Sequence, residues 1–124
     1  MDLLTFARSY TAAWCCRDAA RVAAHYAPEG SLCINGGAPA VGRPAIVAAA
    51  QSFMTTFPDL VVTLDRLVEG AAPEYHWTLS GTSGTGAKIR ISGVEVWTMS
   101  EDGMIAESQG QFDRDVYDRQ LGGG

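Results

Sequence analysis

Apolar side chains at the start of the chain recur with the spacing of an α-helix. Leu3, Phe6, Ala7, Tyr10 and Trp14 fall at positions i, i+3, i+4, i+7 and i+11. Side chains with this spacing lie on one face of a helix, and an apolar face packs against a core. The pattern therefore predicts a first amphipathic helix that buries these five side chains.

A second and a third helix are predicted from capping residues and apolar spacing. Asp18 is a good N-cap for the second helix, and Pro28 and Gly30 are expected to end it. Pro44 has the fixed φ that suits the start of the third helix, which Pro58 closes. The predicted buried stripes are Ala19, Val22, Ala23 and Tyr26 in the second helix, and Ile46, Ala49, Ala50, Phe53 and Phe57 in the third.

Five strands are predicted, one of them between the second and third helices. A short apolar run at 31–35 predicts this first strand, which ends in the turn Asn35-Gly36-Gly37. After residue 59 the apolar spacing changes from a helical period to a period of two, and segments rich in β-branched or alternating residues predict four more strands, at 60–68, 74–80, 88–99 and 104–113. A short helix is expected at 116–121.

The order of these elements predicts an α+β fold. Short connections favour antiparallel neighbours, so we expect a cone-shaped, curved antiparallel sheet packed on three N-terminal helices and enclosing a pocket. Residues 1–121 would form one domain, and 122–124 a flexible glycine tail. An enclosed interior of this kind is a natural site for a hydrophobic small molecule.

Composition excludes several classes of partner. The formal net charge is -5, and the nine basic residues form no cluster that would neutralise nucleic-acid phosphates. No apolar run approaches the ~20 residues of a membrane helix, and the N-terminus lacks the pattern of a signal peptide. We therefore expect a cytoplasmic protein that binds neither nucleic acid nor membrane.

The cysteine and histidine content argues against a metal site. Cys15, Cys16 and Cys33 are too few and too unevenly spaced for a disulfide framework or a zinc site, so we expect buried free thiols. His76 has no second ligand at metal-binding spacing, which favours a surface or sheet-pairing role. His25 lies one position off the buried stripe and is expected to face outward.

Glu95 lies on the apolar face of the predicted strand at 88–99. The residues that share this face by the period-2 rule are Ile89, Ile91, Gly93, Glu95, Trp97 and Met99. A carboxyl group buried there must find hydrogen-bond partners or take up a proton, and a neutral Glu can serve as a general acid. The alternatives are a structural Glu bonded to a serine or an arginine, or a bulge at Gly93 that reverses the faces.

The last predicted strand carries a row of alternating polar residues, Glu107, Gln109, Gln111 and Asp113. An edge strand with a solvated face has this pattern. In the functional alternative, Gln109 or Asp113 reaches the mouth of the pocket. Asp113 is equally suited to cap the C-terminal helix.

The order and spacing of several short motifs resemble the nuclear transport factor 2-like superfamily. The C-terminal segment is similar to the end of the SnoaL-like polyketide cyclase group. The segments that carry the resemblance are 10–14 with Asp18, 25–29, 41–46, 91–99, 102–105 and 113–122. The resemblance implies the cone-shaped fold and a homodimer formed through the sheet, whereas activity varies widely among proteins with this fold.

The resemblance also suggests roles for individual residues. Tyr10 and Glu95 match the tyrosine and the protonated acid that form the oxyanion hole of ketosteroid isomerases. The general base of those isomerases falls at Ile34, and the acid–base aspartate of the SnoaL-like cyclases falls at Gly110. The cyclase histidine falls near Trp97, and Asp113 matches a second aspartate of that group.

Two hypotheses follow. The first is a cofactor-free isomerase or cyclase that acts on a hydrophobic carbonyl compound, with Glu95, Tyr10 and Asp113 as catalytic residues. The candidate ligand contacts are Trp14, Asn35, Phe57, Trp97 and Gln109. The second is a non-catalytic ligand-binding or dimerisation module of the same fold. Val94 and Val96, on the face opposite Glu95, support the homodimer that the resemblance implies.

Overall fold

The computed structural model describes residues 2–122 and contains four helices and six strands in that range. The helices and strands follow one another in the order α1 Leu3–Cys15, α2 Ala19–Ala24, β1 Tyr26–Ile34, β2 Ala40–Val41, α3 Arg43–Thr56, β3 Val61–Val68, β4 Glu74–Thr82, β5 Lys88–Met99, β6 Ile105–Phe112 and α4 Arg114–Leu121. No helix in 2–122 has the length and apolarity to cross a membrane.

The first helix forms as its apolar spacing predicts. Asp2 caps α1, since its side chain accepts a hydrogen bond from the backbone N–H of Thr5 at 2.7 Å. The buried face of α1 carries Phe6, Ala7, Tyr10, Ala13 and Trp14. This face lies over the inner surface of the sheet, which places the tyrosine and the tryptophan toward the interior.

The second helix is shorter than the helix that the sequence predicts. Asp18 caps α2 by accepting from the backbone N–H of Arg21, but the helix ends at Ala24, so the predicted end at Pro28 is wrong. Tyr26 is instead the first residue of β1, where the Arg43 guanidinium donates to its carbonyl at 2.9 and 3.0 Å. Contacts between distant segments thus override the local helical spacing, although the Tyr26 side chain remains buried.

The third helix agrees with its predicted boundaries. Pro44 lies in the first turn of α3, where a missing N–H costs nothing. Ile46, Ala50 and Met54 are buried, and Phe57 follows directly after the helix with its side chain in the core. Helix α3 packs against β1 and β2, whereas α1 packs against β3.

The sheet has the strand order β2-β1-β6-β5-β4-β3 and is curved. The predicted α+β class with a curved sheet over N-terminal helices is confirmed. One pairing differs from the expected antiparallel arrangement, because β1 runs parallel to β6. Strand β6 therefore lies in the middle of the sheet rather than at its edge, and the two-residue strand β2, which was not predicted, forms one edge.

Strand β5 has the predicted bounds and the predicted faces. Its pairing with β4 runs without a break from Glu74 opposite Val96 to Thr82 opposite Lys88, so no bulge reverses the faces at Gly93. A side chain at Gly93 would collide with the Gln111 carbonyl and come within 2.5 Å of the Trp77 ring. Glycine at this position leaves room for the Trp77 indole to pack against the strand.

The last helix ends at the start of the predicted glycine tail. Gly122 caps α4, and residues 123–124 of the tail lie outside the described residues.

The three cysteines differ in their exposure. All three are free, but only Cys33 is buried, while Cys15 is half-buried and Cys16 is exposed. The expectation of three buried thiols is therefore wrong for Cys15 and Cys16.

Candidate functional site

A small cavity lies between the inner face of the sheet and helices α1 and α3. Its volume is about 60 Å³. Its buried floor is formed by Trp14, Leu32, Val62, Tyr75, Leu79, Ile91, Glu95 and Gly110, and its half-buried rim by Ile34, Ala49, Phe53, Trp77 and Phe112. The lining is almost wholly apolar, and within residues 2–122 Glu95 supplies its only carboxyl group.

Glu95 is held by hydrogen bonds from three different elements. Its Oε1 accepts from the Trp97 indole N–H at 3.0 Å and from the Ser108 hydroxyl at 2.8 Å. The Tyr10 hydroxyl, from α1, lies 3.0 Å from Oε1 and 3.3 Å from Oε2. Because most of the donors converge on Oε1, Oε2 is the carboxyl oxygen with the fewest partners.

The environment of Glu95 opposes its ionisation. The side chain is only 8% exposed, and burial raises its pKa above the ordinary value because the charged form loses its water. Hydrogen bonds from Trp97, Ser108 and Tyr10 act in the opposite direction but are weaker, and all three partners are uncharged. The net result is a carboxyl group that holds its proton to a higher pH than a solvent-exposed Glu.

Tyr10 supports Glu95 from behind and does not line the cavity. Its side chain is fully buried, and its hydroxyl also bonds to the Tyr26 hydroxyl at 2.9 Å. Burial raises the pKa of both phenols, and the nearby Glu95 carboxyl raises them further. A role for Tyr10 in an oxyanion hole that contacts a ligand is therefore not supported by its position.

The other predicted ligand contacts are divided between the cavity and its surroundings. Trp14 lines the cavity, while Trp97 lies behind Glu95 and is stacked on Tyr75 with ring centroids 5.0 Å apart. Phe57 is fully buried and packs against Tyr117, away from the cavity lining. Asn35 occupies the turn with φ 52°, and its side-chain carbonyl accepts from the Phe112 N–H at 2.9 Å.

Gln109 and Asp113 lie outside the cavity, which corrects the prediction that they reach its mouth. Gln109 is exposed on the outer face of β6 and donates to Glu107 beside it. Asp113 caps α4, since its carboxylate accepts from the N–H groups of Asp115 and Val116 at 3.0 and 3.1 Å. Asp113 is thus unavailable as a catalytic group in the cavity.

The two positions at which the resemblance implied an acid–base carboxylate do line the cavity. Ile34 forms part of the rim, and Gly110 lies on the floor beside Glu95. A side chain at Gly110 would lie 3.7 Å from the Glu95 Cγ. Neither residue can move a proton, and among the described residues that line the cavity Glu95 carries the one carboxyl group.

Several cavity residues were not singled out from the sequence. Tyr75, Trp77 and Leu79 alternate with polar residues along β4, and this alternation was the available signal. The Trp77 indole N–H is buried without a hydrogen-bond partner. Phe112 packs edge-on against the Trp77 ring at 6.1 Å and completes this side of the rim.

The two histidines lie away from this cavity. His76 bonds to Glu74 at 2.9 Å in the sheet, as expected for a sheet-pairing residue. His25 is half-buried against the rings of Phe6 and Tyr10, so the prediction that it faces outward is wrong. In the part of the chain that the structure describes, no three His, Cys, Asp or Glu side chains cluster as metal ligands.

Comparisons with known proteins identify the fold and its sequence family. A sequence model of the SnoaL-like domain matches residues 7–108. A hypothetical protein with a ketosteroid isomerase-like fold from Catenulispora acidiphila DSM 44928, solved in complex with trimethylamine, has TM-score 0.84 at 16% identity, covering 94% of this chain and 92% of that chain.

Two further solved structures match over nearly their whole length. TsrD from Streptomyces laurentii has TM-score 0.83 at 23% identity, covering 98% of each chain. A putative SnoaL-like polyketide cyclase from Jannaschia sp. CCS1 has TM-score 0.78 at 15% identity, covering 97% of this chain and 94% of that chain. No curated protein sequence matches the chain. Identities this low show a shared fold but not a shared activity.

Proposed function

Because the chain belongs to the SnoaL-like domain family, we propose that it is an enzyme that moves a proton on a hydrophobic carbonyl compound, with Glu95 as the acid–base group. The observation that carries the proposal is a buried carboxyl group with a raised pKa in a cavity whose other described lining residues are uncharged. A buried carboxylic acid can donate a proton or a hydrogen bond where an ionised one cannot. A cyclase-type reaction is in keeping with the name of the Jannaschia structure.

The proposed reaction begins with enolisation and needs one carboxyl group. Oε2 of Glu95 gives its proton to the carbonyl oxygen of the substrate, and the resulting carboxylate then removes a proton from the carbon next to that carbonyl. The C–H electron pair becomes the new C=C bond, the C=O π pair ends on oxygen, and Glu95 is neutral again. The enol so formed can attack a second carbonyl of the same molecule or take up a proton at another carbon.

The residues behind Glu95 are proposed to position it. Trp97 and Ser108 bind Oε1, which leaves Oε2 as the oxygen that faces the substrate. The Tyr10 hydroxyl bridges to Tyr26 and keeps the carboxyl from turning away. These uncharged donors stabilise the carboxylate during the reaction, although burial still favours the neutral acid at rest.

Substrate entry requires the rim of the cavity to open. The cavity, at about 60 Å³, is smaller than the ~150 Å³ apolar cavity that admits benzene. Phe53, Trp77 and Phe112 on the rim are half-buried, so rotation of their side chains would enlarge the space next to Glu95. Side-chain rotations of this kind are common on binding.

Thermal shifts followed by deuterium exchange test the proposal. A panel of hydrophobic ketones, anthraquinone-like polyketides and steroids is first screened for ligands that raise the melting temperature, since binding to the folded state stabilises it by about 2.7 kcal/mol at 100 times Kd. The best carbonyl ligand is then followed by NMR in D₂O. We expect exchange at the carbon next to its carbonyl with the wild-type protein and with Glu107→Gln, an exposed control, but not with Glu95→Gln. Binding without exchange would reject enolisation.

A second candidate function is non-catalytic binding of an apolar ligand. The observation in its favour is that Glu95 already has three hydrogen-bonding neighbours, as a purely structural buried carboxyl would. In that case the panel would contain ligands that raise the melting temperature equally in the wild-type protein and in Glu95→Gln. No carbonyl ligand would undergo exchange.

We also propose that the protein is a homodimer through the outer face of the sheet. Val94 and Val96 are half-buried on that face of β5, and exposed Lys88 and Arg90 lie on the same face, so the interface would be partly polar. A stable interface needs about 1,000 Å² or more of buried surface. Sedimentation should give a dimer for the wild-type protein and a monomer for Val96→Lys, and a wild-type monomer at micromolar concentration would reject the dimer.

A further inference from the structure

A second, larger depression has no lining residue in common with the Glu95 cavity. Its volume is about 550 Å³, within the range of ~300–1,000 Å³ that is usual for ligand sites. The start of α1, the end of α2 and the turn between β5 and β6 enclose it. We call it the His25 groove, and its lining includes Leu3, Phe6, Ser9, His25, Asp102 and Met104.

The hydrogen bonds of His25 fix the protonation of its ring. Nδ1 lies 2.7 Å from the backbone carbonyl of Arg21, which can only accept, so Nδ1 carries the ring proton. Nε2 then presents a lone pair, and the Ser9 hydroxyl at 2.9 Å donates to it. A hydroxyl that donates to an imidazole, whose other nitrogen is held by an acceptor, is the arrangement of an activated serine.

The surroundings hold the imidazole in place and neutral. The Phe6 and Tyr10 rings contact it edge-on, with centroids 5.2 and 5.6 Å away. Burial lowers the pKa of His25, and the charge of Arg21 acts in the same direction, while the hydrogen bond to the Arg21 carbonyl acts against them. Asp102 also lines the groove and adds a carboxyl group to it. A neutral imidazole at neutral pH is the form that can take a proton.

We propose that Ser9 is a nucleophile activated by His25 and that the His25 groove accepts carboxylic esters with a small apolar acyl group. The Ser9 oxygen attacks the ester carbonyl carbon while its proton passes to Nε2 of His25. The tetrahedral adduct collapses, the C–O bond to the alcohol breaks, and the alcohol leaves with the proton from Nε2. The acyl group is then bound to Ser9.

Water completes the reaction without a cofactor. His25 takes a proton from a water molecule, which attacks the acyl carbon, and Ser9 leaves with the proton that His25 returns. The net change is hydrolysis of one ester to one acid and one alcohol. The apolar side chains of Leu3, Phe6 and Met104 next to Ser9 favour an apolar acyl group over a charged one.

Acylation with p-nitrophenyl butyrate tests this proposal on the full chain. We expect release of p-nitrophenol and the addition of one butyryl group to Ser9, found by mass spectrometry of the tryptic peptide 9–17. Cys15 and Cys16 lie in the same peptide, so the sample is treated with neutral hydroxylamine, which removes thioesters and leaves the ester on Ser9. Fragmentation of the peptide then assigns the acylated residue.

Variants separate a reactive serine from one that only joins two helices. Ser9→Ala should abolish the label, His25→Gln should slow acylation by about 10²-fold or more, and Ser52→Ala, an exposed helical serine, should match the wild type. Circular dichroism and melting temperature establish that each variant is folded. Release of p-nitrophenol by the wild-type protein no faster than by folded Ser9→Ala, or an equal rate in folded His25→Gln, would overturn the proposal and leave the Ser9–His25 bond as a structural link between α1 and the end of α2.

Discussion

The Glu95 cavity and the His25 groove are separated by a single layer of aromatic side chains. Tyr10 lies between the two regions and contacts a residue of each, because its hydroxyl bonds to Glu95 while its ring contacts His25. Phe6 similarly lies between His25 and Trp97, with ring centroids 5.2 and 5.7 Å away. The cavity has a volume of about 60 Å³, whereas the groove has about 550 Å³.

The same physical cause shifts the two titratable groups in opposite directions. Burial raises the pKa of Glu95 and lowers the pKa of His25, because in each case the charged form loses water. Each group consequently keeps its neutral form over a wider pH range than it would in water. A neutral carboxyl is a proton donor and a neutral imidazole is a proton acceptor. The proposed reaction in the Glu95 cavity therefore begins with donation of a proton to the substrate, and the one in the His25 groove begins with removal of a proton from Ser9.

The largest expected effect is on proton transfer in the Glu95 cavity. Glu95→Gln keeps a side-chain oxygen to accept from Trp97 and Ser108 but cannot give up a proton, so deuterium exchange into a carbonyl ligand should fall by about 10²–10⁴-fold. Glu95→Asp retains the acid but shortens the side chain, and a displacement of about 1 Å can itself cost about 10²-fold. NMR exchange rates measure both effects. An unchanged rate in Glu95→Gln would mean that another group transfers the proton.

The second prediction concerns Tyr10, which contacts both Glu95 and His25. Tyr10→Phe keeps the ring that contacts His25 but removes the hydroxyl that bonds to Glu95 and Tyr26, which leaves buried polar atoms without a partner. We expect the free energy of unfolding to fall by about 1–3 kcal/mol. Urea denaturation measures this loss.

Ser9→Ala provides the comparison for the groove. It removes one part-buried hydrogen bond and should cost about 0.5–1.5 kcal/mol. If Tyr10→Phe cost no more than Ser9→Ala, the network behind Glu95 would be less important for stability than its burial indicates.

The sequence predicted the Glu95 cavity better than it predicted the last strand. Period-2 alternation placed Glu95 and Trp97 on the inner face, because every side chain of a regular strand is assigned once one face is known. The same rule found the polar row of β6 but could not say which way it pointed. The outer face of this central strand is exposed, so Gln109 points to solvent although its strand lies in the middle of the sheet.

Features that depend on distant segments could not be predicted from local pattern. Tyr26 has the spacing of a helical residue, but the Arg43 side chain and strand β6 draw its backbone into β1. The Ser9–His25 bond joins residues 16 positions apart in two helices whose relative placement no local spacing specifies. Asp113, by contrast, has a local role, since it caps α4, one of the two alternatives that the sequence left open.

The third prediction uses pH to distinguish the two groups. The pKa of Glu95 is raised in the folded state, so its contribution to stability is fully present below its unfolded pKa of about 4.5 and is lost as pH rises through the folded value. We expect the free energy of unfolding of the wild-type protein to fall relative to that of Glu95→Gln as pH rises from about 4.5. Urea denaturation at a series of pH values measures this difference.

His25 should give the opposite dependence. Its pKa is lowered in the folded state, so its contribution is present above the unfolded value of about 6.5 and is lost as pH falls through the folded value. The wild-type protein should therefore lose stability relative to His25→Gln as pH falls below about 6.5. Parallel curves for the wild-type protein and either variant would mean that the group has the same pKa in the folded and unfolded states.

The last comparison adds one methyl group in each region. A Cβ at Gly110 would meet the Cys33 carbonyl at 3.5 Å and Glu95 Cγ at 3.7 Å, both ordinary contacts, and the residue lacks a positive φ. Gly110→Ala should therefore raise the free energy of unfolding by up to about 1 kcal/mol. Gly103 has φ 80°, so Gly103→Ala on the groove should lower it by about 1–2 kcal/mol.

The two glycine variants should also differ in how much a ligand of the Glu95 cavity raises their melting temperatures. The added methyl group at Gly110 occupies space beside Glu95, in a cavity of only about 60 Å³, so a ligand that contacts the carboxyl should raise the melting temperature of Gly110→Ala less than that of the wild-type protein. The same ligand should stabilise Gly103→Ala and the wild-type protein equally, because Gly103 lies on the groove. Equal shifts in Gly110→Ala and wild type would mean that the ligand binds away from Glu95, and the assignment of this carboxyl to catalysis would then fail even if the ligand itself were a carbonyl compound.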